Sequence, residues 1–410
     1  MQHAFFPPVT TSSKKGGDSR ERLLICFSHL RWDFVLQRPQ HLMSRFAAEG
    51  NVLFWEEPQM LVEATEARLD SRRCARTGVT VATPILPAGL DQIEERRTLK
   101  RLLDAALAGH DGPVLRWYYT PMMLSFSEHI PAECVIYDCM DELANFKNAP
   151  PELIPLETRL LEEADVVFTG GYSLYEAKRE RHPNIHPLPS SVDVAHFRAA
   201  RAPGIDPEDQ AALPHPRLGF YGVVDERMDL DLLARVADAR PHWSIMIIGP
   251  VVKISEADLP RRPNLHYLGR KDYAVLPDYL RGWDVALMPF AINEATRFIS
   301  PTKTPEYLAA GCPVVSTAIC DVVRHYGDVE AVKIADTPDA FISGCEQALA
   351  LAREPGSWRA AVEARLSHIS WDRTYQRMRA LIEEVVTRPR HPVNSTVALD
   401  DGGTATAAAA

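Results

Sequence analysis

The stretch SPTKTPEYLAAGCPVVS at residues 300–316 decides the fold. It predicts a loop, a short helix that ends at Gly311, and a strand that follows directly. Lys303 and Glu306 are three residues apart, so they share one face of the first helical turn. The free N–H groups of a helix N-terminus attract phosphate. Lys303 can therefore offset the charge of a diphosphate, and Glu306 can accept hydrogen bonds from two ribose hydroxyls. The alternative is a helix start that binds no ligand.

Working outward, short apolar runs alternate with longer amphipathic runs along the whole chain, which is typical of β-α units on parallel sheets. The pattern predicts an α/β protein with two doubly wound, Rossmann-like domains that face each other across a cleft. The predicted strands form two series: 23–27, 51–55, 113–118, 134–137 and 165–169 in the first, then 217–221, 243–248, 264–268, 285–288, 313–316 and 329–334 in the second.

Composition shifts divide the chain further. A segment rich in Pro, Ala and Asp predicts a linker, and low-complexity ends predict disorder. Trp371 and Asp372 suit a helix that crosses back from the second domain to the first. The predicted divisions are a disordered leader (1–20), a first domain (21–195), a linker (196–216), a second domain (217–370), a crossover helix (371–387) and a disordered tail (388–410).

Length and composition exclude several protein classes. Of the 410 residues, 46% are hydrophobic and 24% charged, which argues against a disordered chain, a collagen and a coiled coil. A net charge of −10 disfavours nucleic acid as a partner. Seven cysteines without a C-x-x-C pair disfavour a disulfide framework or a zinc site. No secretory signal or apolar run of about 18 to 20 residues is present. We therefore expect a cytoplasmic protein. The alternative is a protein that makes peripheral contact with the inner membrane face.

Common phosphate and hydrolase motifs are missing. The chain has no G-x-G-x-x-G after a strand, no G-x-x-x-x-G-K-[ST] and no G-x-S-x-G. An Asp-x-Asp occurs at residues 229–231, but it falls at a helix start, where carboxylates favour the helix dipole. We therefore expect neither a dinucleotide cofactor nor a metal.

The P-x-K-x-x-E-Y-L-A-A-G-x-P-V-V pattern within 300–316 resembles the donor-binding segment of GT-B-fold retaining glycosyltransferases, the large nucleotide-sugar family four. Residues 221–229 are similar to the first loop of that family's C-terminal domain. There, a glycine ends the strand and a basic residue binds diphosphate. Val223 stands where many members have arginine. The resemblance implies a donor site formed by Gly222, Arg227, Arg297, Ser300, Lys303 and Glu306, in which Arg297 contacts phosphate or only caps its loop.

The first half carries a more particular signature. Residues 28–34 and 37–42, together with 137–142, resemble a bacterial surface-polysaccharide branch that includes teichuronic-acid-type transferases. The combined resemblance covers roughly residues 22–385. An aromatic ring and charged groups after one strand can bind a sugar. The implied acceptor side comprises Arg31, Trp32, Asp33, Arg38 and His41, although Asp33 and Arg38 have a structural alternative, which is to pin the loop.

The sequence departs from the family at two positions. Many members have two glutamates eight positions apart; Glu306 is the second, but Phe298 stands at the first, and Glu294 is a nearby alternative. Many members also have a histidine in the central loop of the first domain. Asp138 and Asp141 lie in that region here, so we predict that one of them orients sugar hydroxyls. His29 is a substitute for the missing histidine, or an ordinary loop residue.

The resemblance implies a glycosyltransferase that moves a sugar from a nucleotide diphosphate sugar to a glycan or lipid-linked glycan, with retention and without a metal, in cell-surface polysaccharide biosynthesis. Because the usual glutamate and histidine are missing, a second hypothesis stays open, in which the protein binds a nucleotide sugar without turnover. A third hypothesis is that the protein is a GT-B sugar-nucleotide epimerase.

Overall fold

The computed structural model describes residues 21–354 and 356–388. The predicted leader (1–20) and all but the first residue of the predicted tail (388–410) lie outside the described residues.

The first domain is built on a sheet of nine strands among the described residues. In chain order they are β1 (Leu23–Ser28), β2 (Asn51–Glu56), β3 (Gln59–Leu61), β4 (Arg68–Arg73), β5 (Thr80–Pro87), β6 (Val114–Tyr118), β7 (Cys134–Cys139), β8 (Val166–Thr169) and β9 (Ile185–Pro187). The sheet order is β3-β5-β2-β1-β6-β7-β8-β9, and β4 adds antiparallel to β5 at the edge.

Helices cover both faces of this sheet, so the central strands are apolar on both faces. The helices in this part of the chain are α1 (Arg38–Glu49), α2 (Gln92–Leu107), α3 (Leu124–Ser127), α4 (Leu153–Glu163), α5 (Tyr172–Lys178), α6 (Val194–Arg198) and α7 (Glu208–Ala211). Two clusters of buried apolar side chains, one on each face of the sheet, form the core.

The second domain has a parallel sheet of six strands within the described residues. They are β10 (Arg217–Tyr221), β11 (Ser244–Ile248), β12 (Leu265–Gly269), β13 (Val285–Met288), β14 (Val314–Thr317) and β15 (Val332–Ala335), ordered β12-β11-β10-β13-β14-β15. The remaining helices are α8 (Leu230–Ala239), α9 (Leu276–Arg281), α10 (Lys303–Ala310), α11 (Cys320–Tyr326), α12 (Pro338–Arg353), α13 (Gly356–Leu366) and α14 (Trp371–Thr387).

The topology of both sheets determines where a ligand binds. The strand order reverses at β1 and β6 in the first sheet and at β10 and β13 in the second. Ligands of open α/β sheets bind beyond the carboxyl ends of the strands at such switch points. The loops that follow β1 and β10 should therefore face the ligand.

The last helix returns to the first domain, as predicted. On α14, Trp371, Tyr375, Met378 and Leu381 are buried in one of the two first-domain clusters. Ser370 caps the helix, because its side chain accepts a hydrogen bond from the backbone N–H of Arg373. Burial of this apolar face ties the end of the chain to the first domain.

The structure differs from the sequence prediction in two places. The segment predicted as a linker contains α7 and part of α6, and it is packed rather than open. Phe197 is fully buried in the second core. Gln210 is also buried, and its side chain accepts a hydrogen bond from the indole N–H of Trp283 at 3.0 Å. Strands β3, β4, β5 and β9 were also not predicted from the sequence.

Candidate functional site

A cleft opens between the two domains at the switch points. The first domain contributes residues from the loop after β1, from the start of α1 and from the loop after β7, whereas the second contributes the loops after β10, β11 and β12 and the start of α10. Of the predicted site residues, the cleft wall includes Arg38, His41, Asp141, Gly222, Arg227, Ser300, Lys303 and Glu306.

Two glycines make room at the base of this cleft. Gly222 has a φ of +147°, a backbone conformation that side chains strongly disfavour. A Cβ atom at residue 222 would lie 2.3 Å from Cε of Lys303, so the lysine packs directly over the glycine. Gly249 has a φ of +146°, and a Cβ there would lie 1.7 Å from the carbonyl oxygen of Gly222. Both positions therefore require glycine.

Lys303 places a cation over this glycine floor. Its Nζ lies 5.7 Å from the centre of the Phe220 ring and forms no hydrogen bond or ion pair with a described residue. Burial lowers the pKa of the amine, and the nearby Glu306 carboxylate opposes that effect. A partly buried cation that forms no ion pair favours binding of an anion, because desolvation of the charge is then compensated.

Glu306 lies beside Lys303 and is only 6% exposed. The hydroxyl of Tyr221 donates a hydrogen bond to its Oε2, which ties α10 to the end of β10. Burial raises the pKa of the carboxyl group, while the hydrogen bond from Tyr221 opposes that effect. A carboxylate held in this way can accept hydrogen bonds from a pair of hydroxyls.

Arg227 borders the same site from the loop after β10. Its guanidinium forms a fork with the Asp225 carboxylate, with a shortest N–O distance of 2.6 Å. It also lies 5.6 Å from the ring centre of Phe146, which belongs to the first domain. The side chain remains 25% exposed, so it can contact a ligand in the cleft.

Asp141 extends from the first domain toward this basic side. Burial raises the pKa of its carboxyl group to about 6, and the charges of Arg227 and Arg38 oppose that shift. Among the described residues it is the one first-domain carboxylate in the cleft wall. A group with this pKa changes protonation state close to neutral pH, as carboxyl groups at functional sites often do.

Asp138 lies outside the cleft wall, and this position does not support the role predicted for it. Its side chain is fully buried and forms an ion pair of 2.9 Å with Arg38, which is itself 1% exposed. Arg38 also donates a hydrogen bond to the carbonyl of Leu188 at 2.7 Å. Because side chains on β7 alternate between the two faces of the sheet, Asp138 lies on the face opposite Tyr137 and Cys139. The pair therefore fixes the start of α1, and only Arg38 reaches the cleft wall.

Trp32 is likewise a core residue rather than an acceptor-side platform. It is 3% exposed, and its ring packs edge-on against Phe54 with 5.0 Å between ring centres. Its backbone N–H donates to the carboxylate of Glu56 at 2.7 Å. An indole in this position cannot stack on a sugar in the cleft.

Arg31 and Asp33 hold the same loop and are absent from the cleft wall. Arg31 donates to the Glu56 carboxylate at 3.2 Å and to the backbone carbonyl of residue 57 at 2.6 Å. The exposed carboxylate of Asp33 pairs with Arg72. The acceptor role predicted for both residues is therefore not supported by their positions, and the loop-pinning alternative describes them.

The two histidines predicted at the site, His29 and His41, differ in their position relative to the cleft. His41 lines the cleft and stacks on Trp371 of the crossover helix, with 4.5 Å between ring centres, and burial keeps the pKa of its imidazole well below the usual value. His29 is not part of the cleft wall. Burial lowers the pKa of its imidazole to about 4, and its buried Nδ1 has no hydrogen-bond partner within the described part of the chain. His29 is therefore neutral at pH 7 and lies outside the cleft wall.

The loop before α10 contains Arg297 and Glu294, two residues for which the sequence suggested a role at the donor site. Arg297 and Glu294 pair with each other at 3.5 Å, and both side chains are mostly exposed. Neither lines the cleft, so their positions do not support a phosphate contact for Arg297 or a carboxylate role for Glu294. Phe298 instead packs against the core of the first domain. At this position the chain has an apolar contact between domains.

Sequence reasoning missed Arg270 and Tyr273, which both line the cleft. Arg270 lies 5.5 Å from the ring centre of Phe34 across the cleft and donates a hydrogen bond to the backbone carbonyl of Asp33 at 3.1 Å. The available signal was Gly269, which ends β12, because the residues just past a parallel strand face the ligand edge.

Metal-ligand clusters and membrane-spanning helices are both absent from the described residues. None of the groups of His, Cys, Asp and Glu in residues 21–354 and 356–388 is arranged to hold a metal ion. In the same residues, no helix has the length and apolar character needed to cross a bilayer. All seven cysteines are described and none is in a disulfide.

Comparisons with known proteins agree with this architecture. The sucrose-phosphate synthase of Thermosynechococcus elongatus superposes with a TM-score of 0.66 at 15% identity, covering 89% of this chain and 99% of that one. HepE from Anabaena, solved in complex with UDP and glucose, superposes with a TM-score of 0.62 at 12% identity, covering 88% and 99%. The fold is GT-B.

The sequence matches concern parts of this GT-B chain. Residues 215–350 match the family described as "Glycosyl transferases group 1". The "Putative teichuronic acid biosynthesis glycosyltransferase TuaH" of Bacillus subtilis is 27% identical over 261 residues. That match spans 57% of this chain and 63% of TuaH. The family match therefore covers the half of the cleft that contains Lys303 and Glu306.

Proposed function

We propose that this GT-B protein is a retaining glycosyltransferase that moves a sugar from a nucleotide diphosphate sugar to a glycan or lipid-linked glycan. The observation that carries the proposal is the cation of Lys303 over the Gly222 floor, next to the buried carboxylate of Glu306. A nucleoside diphosphate has the two features that such a pair recognises, an anionic diphosphate and a ribose diol. The match to the glycosyltransferase group supports the reaction class.

The reaction needs electrostatic stabilisation of a departing diphosphate. Lys303 and Arg227 supply positive charge, and the free N–H groups at the start of α10 add to it. Glu306 anchors the ribose, which aligns the diphosphate with the two cations. Because the leaving group is neutralised by side chains, we propose that no metal is required. Activity in EDTA equal to that with added magnesium is the expected result; loss in EDTA with recovery on metal addition contradicts it.

The first domain orients the sugars. Asp141 faces Arg227 across the cleft and accepts hydrogen bonds from a sugar hydroxyl in its ionised form. Gln37, Arg38 and His41 line the same side of the cleft. We propose this wall as the acceptor side, in place of the loop around Trp32.

A role in cell-surface polysaccharide biosynthesis is supported by the similarity to TuaH, whose name gives teichuronic acid biosynthesis as its process. A cytoplasmic enzyme that meets a lipid-linked acceptor at the inner membrane face fits that role. Both statements are proposals for this chain.

The test is an assay of nucleotide diphosphate release. The purified protein is incubated with a membrane-glycan extract and UDP-, GDP-, ADP- or dTDP-sugars, starting with UDP-glucose because HepE was solved with UDP and glucose. Release with one donor, together with labelled sugar in the glycan and an unchanged anomeric configuration, is expected. Nucleotide binding without release favours the binding protein, and conversion of the donor into an epimer favours the epimerase.

A further inference from the structure

A second cavity lies between the domains on the far side of the loop that begins α10. Its volume is about 240 Å³. Ser190, Ser300 and Pro301 line both this cavity and the cleft, so one short stretch of chain separates the two spaces. None of the roles proposed above uses the second cavity.

Both domains and the start of the crossover helix form the wall of the second cavity. Tyr172 and Ser191 come from the first domain, Asp321 and His325 from α11 of the second, and Ser370 from the cap of α14. A wall made from three parts of the chain changes shape when the domains move. A molecule bound in this cavity would therefore contact both domains and the start of α14.

Two polar side chains in this wall lack partners. Ser191 is 1% exposed, and its hydroxyl forms no hydrogen bond with a described residue. The Nε2 atom of His325 is also buried without a partner among the described residues. Burial lowers the pKa of this imidazole, so it is neutral at pH 7 and can either donate or accept. Buried polar groups of this kind are normally satisfied by water or by a ligand.

The charges around the cavity are already paired. Asp321 accepts hydrogen bonds from the backbone N–H groups of Tyr172 and Ser173, both at 3.0 Å. Arg324 pairs with Glu176 at 2.5 Å. None of the described residues that line this cavity is a lysine or an arginine, in contrast to the cleft, where Lys303 forms no ion pair with a described residue.

Two aromatic rings also line the second cavity. Tyr172 and His325 lie 5.2 Å apart between ring centres, and both line the cavity. The Arg324 guanidinium lies over the Tyr172 ring, 4.7 Å from its centre. The remaining ring surface of Tyr172 and His325, beside hydroxyl and imidazole groups, suits a ring that is apolar on its faces and hydroxylated at its edge. A neutral sugar has this character.

We propose that the second cavity binds one neutral sugar residue, and that this binding changes the affinity of the cleft for nucleotide through Ser300 and Pro301. The coupling is reciprocal, because a change in nucleotide affinity caused by the sugar requires an equal change in sugar affinity caused by the nucleotide. The sugar site does not depend on the transferase reaction, since none of Lys303, Glu306 and Asp141 lines the second cavity.

The test uses D-glucose, D-galactose and N-acetyl-D-glucosamine as probes, with inorganic phosphate as the anionic comparison. Saturation-transfer NMR and calorimetry are run on the whole protein with and without saturating UDP. We expect saturable binding of at least one sugar, no binding of phosphate to the UDP-saturated protein, and a nucleotide Kd that differs at least twofold with sugar present.

Variants locate the site. His325→Leu should weaken sugar binding at least 10-fold, His325→Gln should retain it within about threefold, and His242→Leu, at an exposed histidine of the same domain, should leave it unchanged. If His325→Leu does not fold, Ser191→Val serves instead. Sugar affinity that is unchanged in the folded cavity variant places the sugar in the cleft and overturns the proposal, as does failure of all three sugars to bind. Nucleotide binding measured in the same titrations reports separately on the proposed transferase site.

Discussion

Lys303 lies directly over Gly222: a Cβ atom at residue 222 would be 2.3 Å from its Cε and 2.9 Å from its Nζ. Gly222→Ala should therefore displace the cation and weaken nucleotide diphosphate binding at least 10-fold. Gly89→Ala is the matched control, because Gly89 also has a positive φ, +89°, but open space around it. Calorimetry measures both, with melting temperature as the check on folding. Equal affinities in the two variants would refute the steric role of Gly222.

Glu306 provides a separate test of the ribose contact. Glu306→Gln should weaken nucleotide binding by about 1 to 3 kcal/mol, as expected for loss of a charge-assisted hydrogen bond. Glu294→Gln is the control, because that carboxylate is exposed and pairs with Arg297 outside the cleft wall. If Glu294→Gln is the more damaging change, the two carboxylates have been assigned the wrong roles.

Asp141 predicts a pH dependence. Burial raises the pKa of its carboxyl group above the ordinary value of 3.8 to about 6, so the ionised form that accepts a hydrogen bond is lost as the pH falls through 6. We expect kcat/KM to rise with pH up to about 7 because of this group. Asp141→Asn should lower kcat/KM about 10- to 100-fold and remove this limb, whereas Asp33→Asn should do neither. A limb that persists in folded Asp141→Asn belongs to another group.

Replacement of Trp32 tests whether this residue belongs to the core or to the acceptor side. Since the indole is buried against Phe54, Trp32→Ala should lower the free energy of unfolding by about 3 to 5 kcal/mol. Val62→Ala, at a side chain that is 90% exposed, should change it by less than about 0.5 kcal/mol. Urea denaturation measures both. A stable Trp32→Ala protein with reduced transfer would restore the acceptor role for this tryptophan.

The sequence was most informative where a local rule determines the outcome. The alternation of apolar runs predicted the central parallel strands of both sheets, because strands buried on both faces are continuously apolar. Gly311, with a φ of +91°, ends α10 where the pattern placed the stop. The short strands β3 and β9 escaped prediction because edge strands of three residues carry little periodic signal.

The candidate site was predicted in part, and the reason is geometric. Lys303 and Glu306 lie on the first turn of α10, so their common position follows from sequence spacing. Arg31, Trp32 and Asp33 also adjoin a strand end, but an irregular loop has no period that tells which side chains point inward. The role of Asp138 was missed for a related reason, because its partner Arg38 lies 100 residues away in the chain.

The most direct test of the central claim is a calorimetric titration of the whole protein with UDP, GDP, ADP and dTDP, repeated with Lys303→Met and with Lys100→Met. Lys100 is an exposed lysine on α2 that pairs with Asp104 at 3.1 Å and does not line the cleft. We predict saturable binding of at least one nucleotide, weakened at least 10-fold by Lys303→Met and unchanged by Lys100→Met. Absence of binding across all four nucleotides, or equal affinity in the folded Lys303→Met protein, would contradict the claim that this cleft binds a nucleotide diphosphate sugar.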